Sequence, residues 1–202
     1  MDSVISPSST LILLGGASGA GKSYLAAKYG RPHLVLDNFY REASEHTEAS
    51  PLPQTAYGEI DWDHPGTWNT QAAVDGVVEL LETGQTQVPA YSLSTSSYDG
   101  HALVEMDRGP VIAEGIFGSE VLAPLRRQGV AVQAIYVDTP PLATALRRLA
   151  RDVAERRKPI GFLLKRGWAL YRAEGALRAR YLNAGFVPLG KPAVKKLLAS
   201  LA

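Results

Sequence analysis

Eight consecutive residues near the amino terminus have the types and the spacing of a phosphate-binding loop. Residues 16–23 read Gly-Ala-Ser-Gly-Ala-Gly-Lys-Ser, which matches the pattern G-x-x-x-x-G-K-S without a gap. Glycines let successive backbone N–H groups turn toward phosphate oxygens, and a helix that starts after them adds positive potential. The residues expected to contact a nucleotide triphosphate in this loop are Gly16, Ser18, Gly19, Ala20, Gly21, Lys22, Ser23 and Tyr24.

Lys22 and Ser23 are the side chains of this loop that could take part in phosphoryl chemistry. We expect the Lys22 ammonium to bridge the terminal phosphates as a catalytic group, and the Ser23 hydroxyl to ligate Mg²⁺. A glycine-rich turn that binds nothing is the alternative interpretation. The context argues against it, because the apolar run 10–14 predicts a buried strand before the loop and residues 21–29 predict a helix after it.

Two carboxylates are predicted to share a sheet edge with this loop. Asp37 ends the apolar run 33–37, and Glu114 follows the apolar run 110–113. The carboxyl ends of parallel strands meet at one edge, where ligands bind. We expect Asp37 to accept the proton of an acceptor hydroxyl or to hold that hydroxyl in line with the γ-phosphate, and Glu114 to hold Mg²⁺ through water. For Asp37 the alternative is a turn or capping aspartate.

The loop alone does not say what is done with the phosphate. A GTPase would need a guanine-reading Asn-Lys-x-Asp, which this chain lacks. A kinase needs an acceptor-activating carboxylate and a closing lid, and the sequence predicts both. A nucleotide-binding regulatory protein without turnover is the alternative, but such a protein would have no reason to keep Lys22, Ser23, Asp37 and Glu114 together.

Basic residues gather in the carboxyl-terminal part of the chain. Residues 1–125 contain 5 Lys and Arg against 16 Asp and Glu, whereas residues 126–202 contain 16 against 4. This asymmetry indicates either two solvated surfaces or a basic part that binds a polyanion, which could be a nucleotide triphosphate or a nucleic acid. Few aromatic residues are interleaved with these charges, which disfavours a nucleic-acid partner.

The basic part begins on a helix predicted over residues 140–157. Arg148 and Arg151 lie three residues apart there, on a face distinct from an apolar stripe. We expect the stripe to pack in the core; its residues are Leu142, Ala145, Leu146, Leu149 and Val153.

A basic lid is predicted where this helix ends, at about residues 156–166. Arg156, Arg157 and Lys158 stand just before Pro159, and together with the arginines of the helix they could close over the triphosphate. Arg151 and Arg156 are the catalytic candidates of this group, because charge that develops during transfer needs a neutralising cation. A solvated basic face is the alternative.

Strands alternate with helices along the chain, which predicts an α/β fold with a parallel sheet and helices on both faces. We expect residues 1–202 to form a single P-loop kinase domain. Two excursions, at about 38–65 and 85–108, are assigned to the acceptor side, and the second is expected to hold strands at 88–93 and 102–106. Further helices are expected at 68–82, 119–128, 160–183 and 192–201.

Composition excludes some classes of protein. The chain has no cysteine, so disulfides and thiolate metal sites are impossible. No basic start precedes a long apolar run, so we expect neither a secretory signal nor a membrane span, and a cytoplasmic location. The sequence leaves a homo-oligomer open.

The order of several motifs resembles the uridine kinase family. The loop GGASGAGKS is followed by DNFY at 37–40, DWDHP at 61–65, VPAY at 88–91, IAEGI at 112–116, VDT at 137–139 and Arg-Asp-x-x-Glu-Arg at 151–156. The resemblance spans residues 15–158. It implies a P-loop kinase that uses ATP and Mg²⁺ to phosphorylate the 5′-hydroxyl of a nucleoside.

The resemblance also implies roles for single residues. It places Asp37 as the catalytic base, Tyr40 and Asp63 near the acceptor sugar, Tyr91 beside the base of the nucleoside, and Glu114 at the metal. The cations that it places around the phosphates are Arg148, Arg151, Arg156 and Lys158, with Arg151 also reaching the acceptor.

The acceptor side departs from the family. Ser96, within the run Ser-Leu-Ser-Thr-Ser-Ser at 92–97, stands where the family has a histidine that binds the pyrimidine. We therefore expect Ser96 at the acceptor and expect uridine and cytidine to be poor substrates. Another small alcohol, such as a sugar phosphate, glycerate or pantothenate, is the alternative acceptor, and Arg166 would suit an anionic one.

Overall fold

The computed structural model describes residues 10–55, 58–154 and 160–201, with only the backbone described for 151–154, 160–166, 169 and 170. The basic residues Arg156, Arg157 and Lys158 lie outside the described residues, and so does part of the predicted lid. None of the helices formed by the described residues is long and apolar enough to cross a membrane.

A five-stranded parallel sheet forms the centre of the described chain. From one edge to the other its strands are β2 (His33–Val35), β5 (Ile112–Glu114), β1 (Leu11–Gly15), β6 (Val132–Asp138) and β7 (Val187–Gly190). The register pairs Leu14 with Glu114, and Val35 with the same residue. The phosphate-binding loop, Glu114 and the segment after β2 therefore meet at the carboxyl edge, as parallel strands require.

Helices cover both faces of this sheet, which confirms the predicted α/β class. The helices are α1 (Lys22–Tyr29), α2 (Thr70–Thr83), α3 (Gly118–Arg127), α4 (Pro141–Ala154), α5 (Ile160–Asn183) and α6 (Lys191–Ala199). Side chains of β1 alternate between the faces. Leu11 and Leu13 pack in the cluster that contains α2 and α3, whereas Ile12 and Leu14 pack against α1 and α6.

An antiparallel hairpin stands apart from the main sheet on the predicted acceptor side. Its strands are β3 (Gln85–Ser92) and β4 (Ser97–Glu105), and Tyr91 pairs with Tyr98 near the turn. The turn consists of residues 93–96, and Ser96 adopts a positive φ of 52° there. Both strands are longer than the sequence predicts: β3 begins at Gln85 rather than at residue 88, and β4 begins at Ser97 rather than at residue 102.

Two short elements differ from the sequence-based expectations. The strand β2 ends at Val35, and Leu36–Phe39 form a 3₁₀ turn, so Asp37 lies just beyond the strand rather than at its last position. The strand β7 is not predicted at all, because its four residues Val-Pro-Leu-Gly give no periodicity.

The predicted apolar core stripe of α4 is wrong for Leu142 and Leu146, whereas Ala145 and Leu149 are partly buried and the side chain of Val153 lies outside the described ones. Leu142 and Leu146 are 64% and 59% exposed, whereas Thr144 and Arg148 are buried. The reason is that the inner face of α4 packs against the backbone of the phosphate-binding loop: a Cβ on Gly19 would lie 2.7 Å from the carbonyl oxygen of Thr144. A helix that packs on a loop backbone buries polar groups, so Leu142 and Leu146 face outward.

Candidate active site

The phosphate-binding loop joins β1 to α1 with a backbone that only glycine adopts readily. Gly16, Gly19 and Gly21 have φ values of 141°, 86° and 95°, in the region where a Cβ is strained. Gly19 also has no room for a side chain beneath Thr144. The loop geometry at these three positions therefore depends on glycine, and it leads directly into the amino terminus of α1, as an anion-binding loop requires.

Lys22 is the buried cation of this loop. Only 5% of it is exposed, and its ammonium donates to the carbonyl oxygens of Gly16 (2.9 Å) and Ala17 (3.3 Å). The side chain thus folds back across the loop and holds its charge where the loop begins. A phosphate in the loop would meet this ammonium without a large movement of the side chain.

Glu114 is a buried carboxylate beside Lys22. It is 2% exposed, and Nε2 of His33 lies 3.5 Å from its Oε1, which is long for a hydrogen bond. Burial opposes ionisation, but His33, the charge of Lys22 and the hydroxyl of Ser23 outweigh it and hold the pKa of Glu114 below its usual value. Glu114 is therefore an anion at neutral pH, and it lies beside the charge of Lys22.

Ser23 and Glu114 offer oxygen donors of the kind that Mg²⁺ prefers. Ser23 is exposed at the start of α1, and its hydroxyl interacts with the Glu114 carboxylate. Among the described residues no three His, Cys, Asp or Glu side chains gather into a metal cluster. The chemistry of the pair therefore fits a Mg²⁺ that also takes ligands from phosphates and water, and not a metal caged by protein alone.

Asp37 lies at the same edge as Glu114 and is half-buried. Its Oδ1 accepts the backbone N–H of Ile116 at 3.0 Å. A Cβ on Gly115 would lie 2.8 Å from that oxygen, so the segment after β5 packs closely against the carboxylate. The structure therefore brings together Lys22, Asp37 and Glu114, three of the predicted site residues.

Among the basic residues predicted on α4 and in the lid to surround the phosphates, Arg148 is the one whose side chain the structure describes. It is buried, and its Nη2 donates to the carbonyl oxygen of Ser18 at 3.0 Å. Arg148 thus contacts the phosphate-binding loop through the main chain. The backbone of Arg151 lies in α4.

An aromatic cluster lies where the sequence predicts the acceptor side. The ring of Tyr40 lies 5.4 Å from that of Tyr91 and 5.8 Å from that of Trp62, and Tyr91 lies 5.9 Å from Tyr98. Two backbone contacts lock it: the Tyr40 hydroxyl donates to the carbonyl of Trp62, and the Tyr98 hydroxyl donates to that of Tyr40. Tyr40 is buried, whereas Tyr91 and Trp62 are partly open to solvent.

Ser96 and Asp63 flank this cluster. Burial raises the pKa of Tyr91, and a hydrogen bond with the Ser96 side chain opposes that rise, so Ser96 contacts the tyrosine. Asp63 is exposed and directly follows Trp62, and its N–H donates to Oδ1 of Asp61. The rings of Trp62 and Tyr98 both lie against Tyr91, so aromatic side chains stand beside the serine run at 92–97.

A cavity of about 440 Å³ opens beside the phosphate-binding loop, on the side away from Asp37. Its lining residues are Tyr136, Asp138, Thr139, Pro140, Pro141, Glu174, Gly175, Arg178 and Gly190. Oγ1 of Thr139 lies 3.5 Å from the carbonyl oxygen of Ala20, which connects the cavity to the loop.

Lys191 is a residue of this region that the sequence does not single out. It follows Gly190 at the start of α6, and its Nζ lies 5.3 Å from the centre of the Tyr24 ring. A Cβ on Gly21 would lie 2.6 Å from the same nitrogen. Lys191 is separated from Gly21 by 170 positions in the sequence, so no local sequence pattern indicates that it contacts the loop.

Residues 11–161 match the sequence profile of the Phosphoribulokinase / Uridine kinase family. The matched range contains the phosphate-binding loop, Asp37, Glu114 and Arg148. The chain belongs to this family.

Uridine kinases are among the relatives of the chain within the Phosphoribulokinase / Uridine kinase family. The chain is 23% identical to the uridine kinase of Borreliella burgdorferi (strain ZS7) over 172 residues, which cover 80% of the chain and 79% of that protein. It is 26% identical to the uridine kinase of Clostridium botulinum (strain Kyoto / Type A2) over 151 residues, covering 74% and 72%.

The fold has a counterpart among solved structures. A candidate fructose transport system kinase from Silicibacter sp. TM1040 superimposes with a TM-score of 0.59 and 19% identity, over 87% of the chain and 88% of that protein. At this identity the likeness concerns the fold. It extends beyond residue 161 and therefore includes elements that the family profile does not reach.

Proposed function

We propose that the chain is an ATP-dependent kinase that transfers the γ-phosphoryl group to a hydroxyl of a nucleoside-like small molecule. The observation that carries this proposal is the meeting of Lys22, Asp37 and Glu114 at one sheet edge beside the phosphate-binding loop. Membership of a kinase family supports it.

Each of these residues has a defined part in the transfer. The loop amides and Lys22 hold the β- and γ-phosphates, and Asp37 accepts the proton of the acceptor hydroxyl. The acceptor oxygen then bonds to the γ-phosphorus as the bond to the β-phosphate oxygen breaks, and ADP leaves. Ser23 and Glu114 would hold Mg²⁺, which when bound neutralises charge on the phosphates.

The two sides of the loop suggest where each substrate lies. We place the acceptor between Asp37 and the aromatic cluster, because the partly open rings of Tyr91 and Trp62 suit a flat or apolar face of a ligand. We place the nucleoside of ATP at the cavity beside Thr139, because this cavity adjoins the other side of the loop. The substrates thus meet at the phosphates.

The organisation of the chain follows from this assignment. We propose a single P-loop kinase domain over residues 1–202, with the acceptor excursions at about 38–65 and 85–108. The lid remains assigned to about 156–166, with Arg156 and Lys158 as its cations.

An ATP-consumption screen tests the proposed function. Nucleosides, sugars, sugar phosphates and small hydroxy acids are offered with ATP and Mg²⁺, and we expect acceptor-dependent ADP formation with one of these classes. Lys22→Ala should abolish it, whereas Lys28→Ala, an exposed lysine of the same helix, should not. Turnover near wild type in a folded Lys22→Ala protein would exclude the loop as the catalytic site.

A further inference from the structure

Tyr181 of α5 is a buried polar residue that the proposed transfer does not use directly. It is 0% exposed, and its hydroxyl lies 2.7 Å from the carbonyl oxygen of Ile116 and 3.1 Å from that of Gly115. Burial raises the pKa of Tyr181 well above its usual value. The hydroxyl therefore keeps its proton and donates to this segment at any working pH.

The same segment holds Asp37 from its other side. The N–H of Ile116 donates to Oδ1 of Asp37 at 3.0 Å, and Gly115 packs so closely that a Cβ there would lie 2.8 Å from this oxygen. The peptide group that joins Gly115 to Ile116 thus accepts the buried hydroxyl at its carbonyl oxygen and donates its N–H to the carboxylate. A shift of the segment would move the carboxylate with it.

We propose that the Tyr181 hydroxyl positions Asp37 for proton transfer by fixing the Gly115–Ile116 segment. Tyr181 is a positioning residue, because it contacts the backbone that holds the carboxylate and no reacting atom. This inference rests on the proposed kinase function, in which Asp37 is the general base.

The helix that carries Tyr181 is itself held at the sheet edge by polar contacts along one face. Glu174, Arg178 and Tyr181 are spaced i, i+4 and i+7. Oε2 of Glu174 accepts the hydroxyl of Thr144 at 2.8 Å, and Nη2 of Arg178 donates to Oδ2 of Asp138 at 2.9 Å. Three anchors on different elements give α5 a fixed position, which a positioning group needs.

The ring of Tyr181 is fixed as firmly as its hydroxyl. It packs edge-on against Phe186 at 4.8 Å, and it fills the space that a side chain at Gly15 would occupy. Gly15 directly precedes the phosphate-binding loop. One tyrosine therefore contacts the base of the loop through its ring and the support of Asp37 through its hydroxyl.

Tyr181→Phe removes the hydroxyl and keeps the ring. Because a misplacement of about 1 Å at a reacting group can cost about 10²-fold in rate, we expect kcat to fall by roughly 10- to 100-fold. The KM for ATP should stay within about twofold, since the loop contacts are unchanged. An unchanged kcat in a folded Tyr181→Phe protein overturns the inference.

A double-mutant cycle with Asp37→Asn separates positioning from general destabilisation. If Tyr181 acts through Asp37, its replacement in the Asp37→Asn background should change kcat by less than about twofold, because interacting residues are not additive. Costs that multiply in the double variant would show that the hydroxyl acts independently of Asp37, and would overturn the inference.

Two further variants keep the test decisive. Tyr29→Phe makes the same change at a buried tyrosine of α1 and should leave kcat unchanged. Gly115→Ala presses on Oδ1 of Asp37 and on Cβ of Leu36 without touching Tyr181, so it should also lower kcat at constant KM for ATP. If Tyr181→Phe does not fold, Gly115→Ala still tests the premise that Asp37 depends on the position of this segment, and an unchanged kcat there overturns the inference.

The proposed function and this inference can fail separately. If Asp37→Asn keeps the wild-type kcat, Asp37 is not the base, and both fail. If Asp37→Asn loses activity but Tyr181→Phe does not, only the positioning role fails.

Discussion

A backbone N–H holds one oxygen of Asp37, so an amide in its place should fit the site without taking a proton. Asp37→Asn keeps the size of the side chain and its carbonyl acceptor for Ile116. A general base typically contributes ~10²- to 10⁴-fold, and we expect kcat to fall by about that factor. Steady-state kinetics should show little change in the KM for ATP.

Asp75→Asn is the matched control for this variant. Asp75 is exposed on α2, where its carboxylate accepts a hydrogen bond from Gln71. Its replacement should leave kcat unchanged. Equal activity of the two variants would reduce Asp37 to a turn residue.

Tyr136 should make the free energy of unfolding of the protein fall with pH in the alkaline range. Burial, with the charges of Glu174 and Asp138, raises the pKa of Tyr136 to about 12, against about 10 in an unfolded chain. The folded state therefore keeps the phenol proton more tightly. The resulting stabilisation is complete below about pH 10 and is lost as pH rises toward 12.

Urea unfolding of the wild type and of Tyr136→Phe between pH 9 and 12 measures this contribution. The free energy of unfolding of the wild type should fall more steeply, with a difference in slope that integrates to the order of 2 kcal/mol. Parallel curves for the two proteins would mean that Tyr136 titrates as it does in water.

Sequence reasoning could identify residues whose partners are close in the chain or belong to a motif. Lys22 and Ser23 follow from eight consecutive residues, and Asp37 follows from the end of an apolar run. Tyr181 could not be found in this way, because its hydroxyl meets a segment 65 residues away. Such contacts depend on the packing of α5, which no local pattern specifies.

The junction of β7 and α6 should contribute to nucleotide affinity. Lys191 opens α6 with its ammonium against Gly21 and the ring of Tyr24. A cation there would attract the phosphates of ATP without touching the acceptor. Lys191→Gln should therefore raise the KM for ATP by roughly 3- to 10-fold, consistent with about 1 kcal/mol for one partly exposed charge, with kcat nearly unchanged.

Lys195→Gln removes the same charge one turn later on α6, where Lys195 is exposed. It should leave the KM for ATP unchanged at the same ionic strength. If both substitutions raise that KM equally, the effect belongs to the net charge of the helix and not to the reach of Lys191.

Elements with a clear period and clear ends were predictable, whereas their packed faces were not. The strand β1 and the helix α1 follow from an apolar run and the glycines after it. On α4 the leucine spacing is genuinely helical, yet Thr144 and Arg148 face inward. Periodicity reports that a helix is amphipathic, but it does not say whether the neighbour of the helix is a sheet or the backbone of a loop.

The whole molecule should become more stable when its donor binds. A ligand that binds only the folded state stabilises it by about 2.7 kcal/mol at 100 times its Kd. A non-hydrolysable ATP analogue with Mg²⁺ should therefore raise the midpoint of thermal unfolding by several degrees. Differential scanning calorimetry at a series of ligand concentrations gives the shift.

Lys22→Ala should abolish most of this shift, whereas Asp37→Asn should retain it, because Asp37 is assigned to the acceptor and not to ATP. A full shift in Lys22→Ala would place the nucleotide away from the loop. The two variants thus test, through the stability of the whole molecule, whether ATP binds at the loop and the acceptor binds at Asp37.

The packing of Tyr181 over Gly15 has a consequence for how this chain can diverge. A side chain at position 15 and a tyrosine ring at position 181 exclude each other, since both would fill one volume. Among descendants of this sequence we expect the two positions to change together: a residue larger than glycine at 15 should occur only where 181 has become smaller. The last third of the chain, although distant from the loop in sequence, would then evolve in step with it.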